Sequence, residues 1–236
     1  MLVNKYIGID NIISGTWKNF FFAVTTCTIA YYANEYWFTK HFEFPAFITT
    51  ILGTALAFFI GFNNNQAYDR WWEARKIWGS IVNNSRTFTR NIICFINEND
   101  QLDDVEVKEI QERMVKRHIA FLYLQKDKLR DQDTRYHERY IVLLEQGYIN
   151  RHDNRYNALL EFQADDLQLL LDKKAIDGFK YIELNRMLTA FTDDMGASER
   201  IKNTVFPTTY NYYSKFFIWI FVYAVTLTIG NNIGLI

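Results

Sequence analysis

Two cysteines and two prolines are all that 236 residues contain, and 26 Lys+Arg against 27 Asp+Glu leave a net charge of −1. That balance removes the electrostatic basis for a nucleic-acid partner. Neither Cys27 nor Cys94 has a second Cys or a His at ligand spacing. A disulfide framework and a cysteine-based metal site are therefore excluded, and both residues read as packing groups in a reducing compartment. Proline is confined to Pro45 and Pro207. No alternating apolar and polar run of useful length occurs, so the expected fold class is all-α: multi-pass membrane helices with a cytoplasmic helical bundle. Internal repeats and low-complexity tracts are also lacking.

The signatures of chemistry are missing as well. There is no Ser-His-Asp order, phosphate loop or dinucleotide fingerprint. Asp165-Asp166 and Asp193-Asp194 are adjacent pairs, whose side chains diverge on a helix. His118, His137 and His152 stand alone without zinc spacing and are expected at the surface. The acidic run Asn97 to Lys108 fails as a calcium loop, with Leu102 where the turn needs Gly and Lys108 where the loop needs Glu. No enzyme activity, catalytic residue, organic cofactor or metal is expected.

What is present is a division of charge. Residues 1–62 hold three basic and three acidic residues and 205–236 only Lys215, while 63–204 hold the other 22 basic and 24 acidic ones. The apolar ends offer three candidate spans of about one bilayer core each. The first is 20–38, with Trp17 and Trp37 at its ends, the second is 44–62, with Pro45 in its first turn, and the third is 216–236 within 205–236. Arg70, Arg75, Lys76, Arg86 and Arg90 crowd the exit of the second span, against only Lys40 and His41 between spans one and two. The positive-inside rule then puts 63–204 and the N-terminus in the cytoplasm, as in a multi-pass protein of the cell (inner) membrane. Ile236 ends a run that is still apolar, so a final membrane helix is expected beyond it.

In the charged middle, helical spacing persists over 66–96, with Trp71, Arg75, Trp78 and Val82 on one face. Further helices are expected over 105–129, over 135–145 ending at Gly147, over 154–171, and from about Asp177. The second span carries two stripes. Gly53, Ala57 and Gly61 form a small-residue line that admits close helix contact. Rotated by about 100°, Thr54, Phe58 and Phe62 form the other. In a ring of copies the small line packs neighbours and the aromatic line faces the axis as a hydrophobic constriction. Alternatively, the aromatics face lipid and the glycines pack within one chain.

Two segments carry a family resemblance. Gly61-Phe62 is followed by Asn65-x-Ala67-Tyr68-Asp69-Arg70-Trp71-Trp72-Glu73-Ala74-Arg75-Lys76-x-Trp78-Gly79, and Gly196-Ala-Ser-Glu-Arg-Ile-Lys-Asn-Thr-Val-Phe-Pro207 precedes Tyr210. In the same order, each beside an apolar segment, they resemble the signature of the bestrophin family in its prokaryotic branch. The resemblance covers nearly the whole chain. It implies a homopentameric channel that passes chloride or other small monovalent ions passively, with membrane lipids, permeant inorganic ions and copies of itself as partners.

By motif position Thr54, Phe58 and Phe62 match the family's neck, with Asn63, Asn64 and Asn65 at its exit. Asp69, Arg70, Trp71, Trp72, Glu73, Arg75 and Trp78 form a structural collar. Counting back from Pro207 places the cytoplasmic aperture at Asp177 and Phe179. Asp177 suits an N-cap, and Phe179 is either an aperture ring or a core residue of a capped helix. Asn63 stands where the family often has Arg, and Thr54 where it has a larger apolar residue. The chain does not reach the acidic cluster that forms the calcium clasp of animal members, so calcium gating is not expected. Ion sign stays open between anion and cation, and a membrane-tethered scaffold or sensor is the alternative from another class.

Overall fold

The computed structural model describes residues 8–34, 36, 45–97, 102–204 and 208–232. The expectations for Trp37, Lys40, His41, Phe44, Pro207 and 233–236 lie outside the described residues. Seven α-helices and one short 3-10 helix are present, with no β-strand among the described residues. The chain forms two compact units, one of Met1–Ala67 with Phe206–Ile236 and one of Tyr68–Val205.

The first unit holds α1 (Ile9–Ala33), the first part of α2 (Ala46–Phe95) and α7 (Thr208–Asn232). The expected second span and the polar helix after it are one uninterrupted helix, because no Pro or Gly pair interrupts the backbone ladder between them. Residue types of opposite polarity thus follow one another within one helix.

Edge-to-face packing of Phe22 on Trp219 at 5.1 Å joins α1 to α7. Stacking of Phe59 on Phe217 at 5.6 Å joins α2 to α7. Thr49 and Thr228 hydroxyls bond at 2.7 Å. By length and composition, α2 and residues 212–229 of α7 are able to cross a membrane. The described α1 does not reach that standard, since Thr25, Thr26, Thr28, Tyr31 and Tyr32 dilute its apolar content. It also begins at Ile9, eleven residues before the expected span. No residue of α1 from Ile9 to Ala33 is buried, so its apolar side chains await lipid or another surface.

The second unit packs the rest of α2 with α3 (Asp104–Arg130), α4 (Leu143–Ile149), α5 (Arg155–Asp172) and α6 (Gly178–Asn203). Its core includes Phe88, Ile92, Met114, Phe121, Leu159, Leu167, Leu184 and Phe191. The starts of α3 and α5 are capped by side chains. Asp103 and Glu106 form a reciprocal capping box, with the Glu106 amide donating to Asp103 Oδ1 at 2.7 Å. Asn154 accepts from the Asn157 amide at 3.1 Å.

The expected helix over 135–145 is corrected. A 3-10 helix occupies Tyr136–Tyr140, Ile141 is extended, and α4 runs on through Gly147 to Ile149. The Gln146 side chain holds the break, its Nε2 donating to the Glu138 and Ile141 carbonyls, each at 2.9 Å. Those carbonyls would otherwise be orphaned at the helix end.

Candidate functional site

In the first unit α2 shows two faces. Thr49, Gly53, Phe59 and Asn63 turn to α7, while Thr54, Phe58 and Phe62 turn away. Phe58 and Phe62 meet edge-on at 4.5 Å. They remain 66% and 44% exposed. Thr54 is exposed and satisfies its hydroxyl on the Thr50 carbonyl at 3.0 Å. An open apolar groove runs along Thr50, Ile51, Thr54, Ala55, Ala57 and Phe58.

The small-residue line divides between the two roles weighed for it. A Cβ on Gly53 would stand 2.9 Å from the Phe221 ring, so this glycine serves contact inside the chain. At Gly61 a Cβ would meet nothing within 4 Å, and Ala57 is exposed. The three asparagines also part company. Asn63 donates to Ser214 Oγ at 3.0 Å, whereas Asn64 and Asn65 are exposed.

In the second unit the two sequence motifs meet. Arg70 donates to the Ile201 carbonyl, and Arg200 pairs with Glu73 at 3.4 Å. One helical turn of α2 is thereby tied to the last turn of α6. Asp69 is exposed. Tyr68, Trp71 and Trp72 form a ring cluster, the Arg75 guanidinium lies 5.7 Å from the Trp71 ring centre, and Trp78 is also exposed. Farther along α2, Ser80 donates to Asp194 at 2.9 Å and Asn84 at 3.3 Å. Burial pushes the Asp194 carboxyl up, the neighbouring charge of Asp193 adds to this, and these two hydrogen bonds oppose it.

Asp177 caps α6, accepting from the Lys180 amide at 2.8 Å. Phe179 is 88% exposed, which removes the core reading for this ring within the chain. Ile182 is exposed one turn on.

Burial overturns the surface expectation for His118 and His137. His118 sits among Phe88, Phe121 and Phe191 with a ring nitrogen 2.9 Å from Ser85 Oγ. Desolvation holds its pKa down at about 4. Its place was legible, because Val107, Ile110, Met114, His118 and Phe121 make one helical stripe.

Asp166, on the corresponding stripe of α5, is buried while Asp165 is exposed. It takes an ion pair from Arg113 at 2.7 Å and another from Arg117. Arg117 also pairs with Glu145. Burial disfavours the Arg117 charge, but the Glu145 hydrogen bond and the Asp166 and Glu145 charges outweigh it, and its pKa is raised. Charged groups from α3, α4 and α5 thus converge here. Asp127, Asp133 and His137 converge too, without any spacing along the chain that announces it.

Comparison with known proteins fits an exposed aromatic stripe on α2 and a pair of interlocked motifs. The profile of the Bacterial/Fungal Bestrophin protein family matches residues 8–236. The chain belongs to the bestrophin family. A bacterial bestrophin homolog from Klebsiella pneumoniae shares this bestrophin's fold, with a TM-score of 0.81 at 21% identity over 95% of this chain and 78% of that one. A variant of a membrane protein of known structure gives a TM-score of 0.83 at 20% identity, covering 93% and 79%.

Among curated relatives, a voltage-dependent anion channel-forming protein of Ralstonia nicotianae is 28% identical over 188 residues, 78% of this chain and 59% of that protein. Another so named, from Nostoc sp., is 25% identical over 191 residues, 80% and 61%. The chain thus spans about three-fifths of the length of these relatives.

Proposed function

We propose that this bestrophin is a passive channel for chloride or other small monovalent anions, built from five identical chains around a central axis. The single observation that carries the reading is the line Thr54, Phe58 and Phe62, left open on the face of α2 opposite its packing against α7. Brought to an axis, these side chains line a narrow neck whose wetting controls passage. Aromatic ring edges are weakly positive and favour anions in a dry constriction. The naming of relatives as anion channel-forming proteins supports the same sign.

Phe179 supplies the second, cytoplasmic ring. The Asp177 carboxylate is engaged at the helix end, which weakens the cation-selective alternative. Ala57 and Gly61 leave room for a neighbouring copy, and lipid covers the remaining apolar surface. The basic residues from Arg70 to Arg90 keep 63–204 on the cytoplasmic side of the inner membrane.

Bilayer recording with unequal KCl on the two sides tests the reading. Reversal near the chloride equilibrium potential is expected. Reversal near that of potassium would establish the cation alternative, and absence of any current would favour a tethered scaffold.

A further inference from the structure

Outside the conduction elements, one place in the second unit gathers metal-binding donors from three successive segments. Asp127 lies in the last turns of α3, Asp133 in the connection that follows, and His137 in the 3-10 helix. One donor atom from each lies within 4.8 Å of those of the other two.

Asp127 is held in place by the Thr134 amide at 2.9 Å and by the Thr134 hydroxyl, as carboxylate ligands commonly are. The independent observation is His137. Its side chain is 3% exposed, and Nδ1 is buried without a hydrogen-bond partner. A buried polar nitrogen in that state calls for an explanation, and coordination of an ion is one. A cavity of about 310 Å³, lined by Asp127, Asp133, Asp153 and Arg155 among others, reaches the carboxylates from solvent.

We propose that Asp127, Asp133 and His137 form a binding site for one divalent transition cation of the zinc class. One imidazole and two carboxylates match the mixed nitrogen and oxygen preference of Zn²⁺, with a fourth position left for water. Calcium and magnesium, which prefer oxygen alone, bind less well. A tetrahedral ion about 2.0–2.1 Å from each ligand needs donors about 3.3 Å apart, so the group must draw in. Asp133 is the member able to move, because it is exposed on the connection.

Two cations compete for the carboxylates. Lys126 lies 2.9 Å from Asp127, and Arg155 lies 3.9 Å from Asp133. Their presence sets a moderate affinity in place of a permanent structural metal.

Titration of the full chain in detergent with ZnCl₂, CaCl₂ or MgCl₂, followed by calorimetry and thermal melting, tests the site. The expectation is one Zn²⁺ per chain, a raised melting temperature, and binding weakened at least about tenfold in Asp133→Asn and abolished in His137→Gln. Asp133→Asn alters an exposed side chain, and an unchanged melt in EDTA shows that it folds, so it decides the matter even if His137→Gln does not fold. Equal zinc affinity in wild type and Asp133→Asn, no zinc binding at millimolar concentration, or tighter calcium than zinc binding would overturn the proposal. None of these outcomes depends on whether the chain conducts ions.

Discussion

At the scale of single residues, the second unit places ionisable groups where water cannot reach them. His118 gives this a measurable form. Its folded pKa of about 4 lies below the ordinary 6.5, so between those values the unfolded chain binds the proton and the folded chain does not. The stability it contributes is complete above pH 6.5 and is lost as pH falls toward 4, by up to ~3 kcal/mol. Thermal melting from pH 7 to 4 should show this slope, and His118→Phe should flatten it; an unchanged slope in the variant would rule out His118 as its source.

His118 and Asp166 were readable from the apolar stripes that they interrupt, since a polar residue in register with Met114 and Phe121, or with Leu159 and Leu170, has to be buried. His137 was not. It lies in a 3-10 helix after a connection where Asp131 and Arg135 take left-handed backbone, which no periodic pattern describes.

At the scale of elements, α2 carries most of the argument. Charge distribution marked where its lipid-compatible part gives way to a polar one, but the span at 44–62 and the helical run at 66–96 were read separately, and the structure joins them in one helix. Which side of the small-residue line meets α7 depends on another helix, far away in sequence, and no stripe drawn on α2 alone supplies it.

Gly53 and Gly61 now separate experimentally. Gly53→Leu forces the Phe221 ring away and should lower the melting temperature in detergent by roughly 5 °C, the effect of overpacking by a few methyl groups. Gly61→Leu meets nothing within the chain and should leave the packing of α2 on α7 intact. Equal effects from both would mean that the α2 and α7 contact does not depend on the glycine. The start of α6 is a second legible element, as an Asp before Gly-Phe-Lys fits the N-cap that the structure shows.

At the scale of the whole molecule, the surface carries more apolar side chain than water tolerates. Phe20, Phe21, Ile29, Phe58, Leu143, Leu144 and Phe179 are all exposed in the isolated chain. In the proposed channel a bilayer covers part of that surface and further copies cover part. Class and family were legible because each rests on local residue patterns, and the two motifs that carried the resemblance are joined through Arg70 and Glu73 to α6. The number and arrangement of copies depend on surfaces of other chains, which one sequence does not encode in any periodic form.

The central claim is that Phe58 and Phe62 face a shared ion path. Its most direct test is conductance of reconstituted wild type against the Phe58→Ala, Phe62→Ala double variant in planar bilayers. Removing both rings should raise conductance roughly several-fold by widening and wetting the neck. Conductance equal to wild type, from a variant that assembles to the same mass, would contradict it.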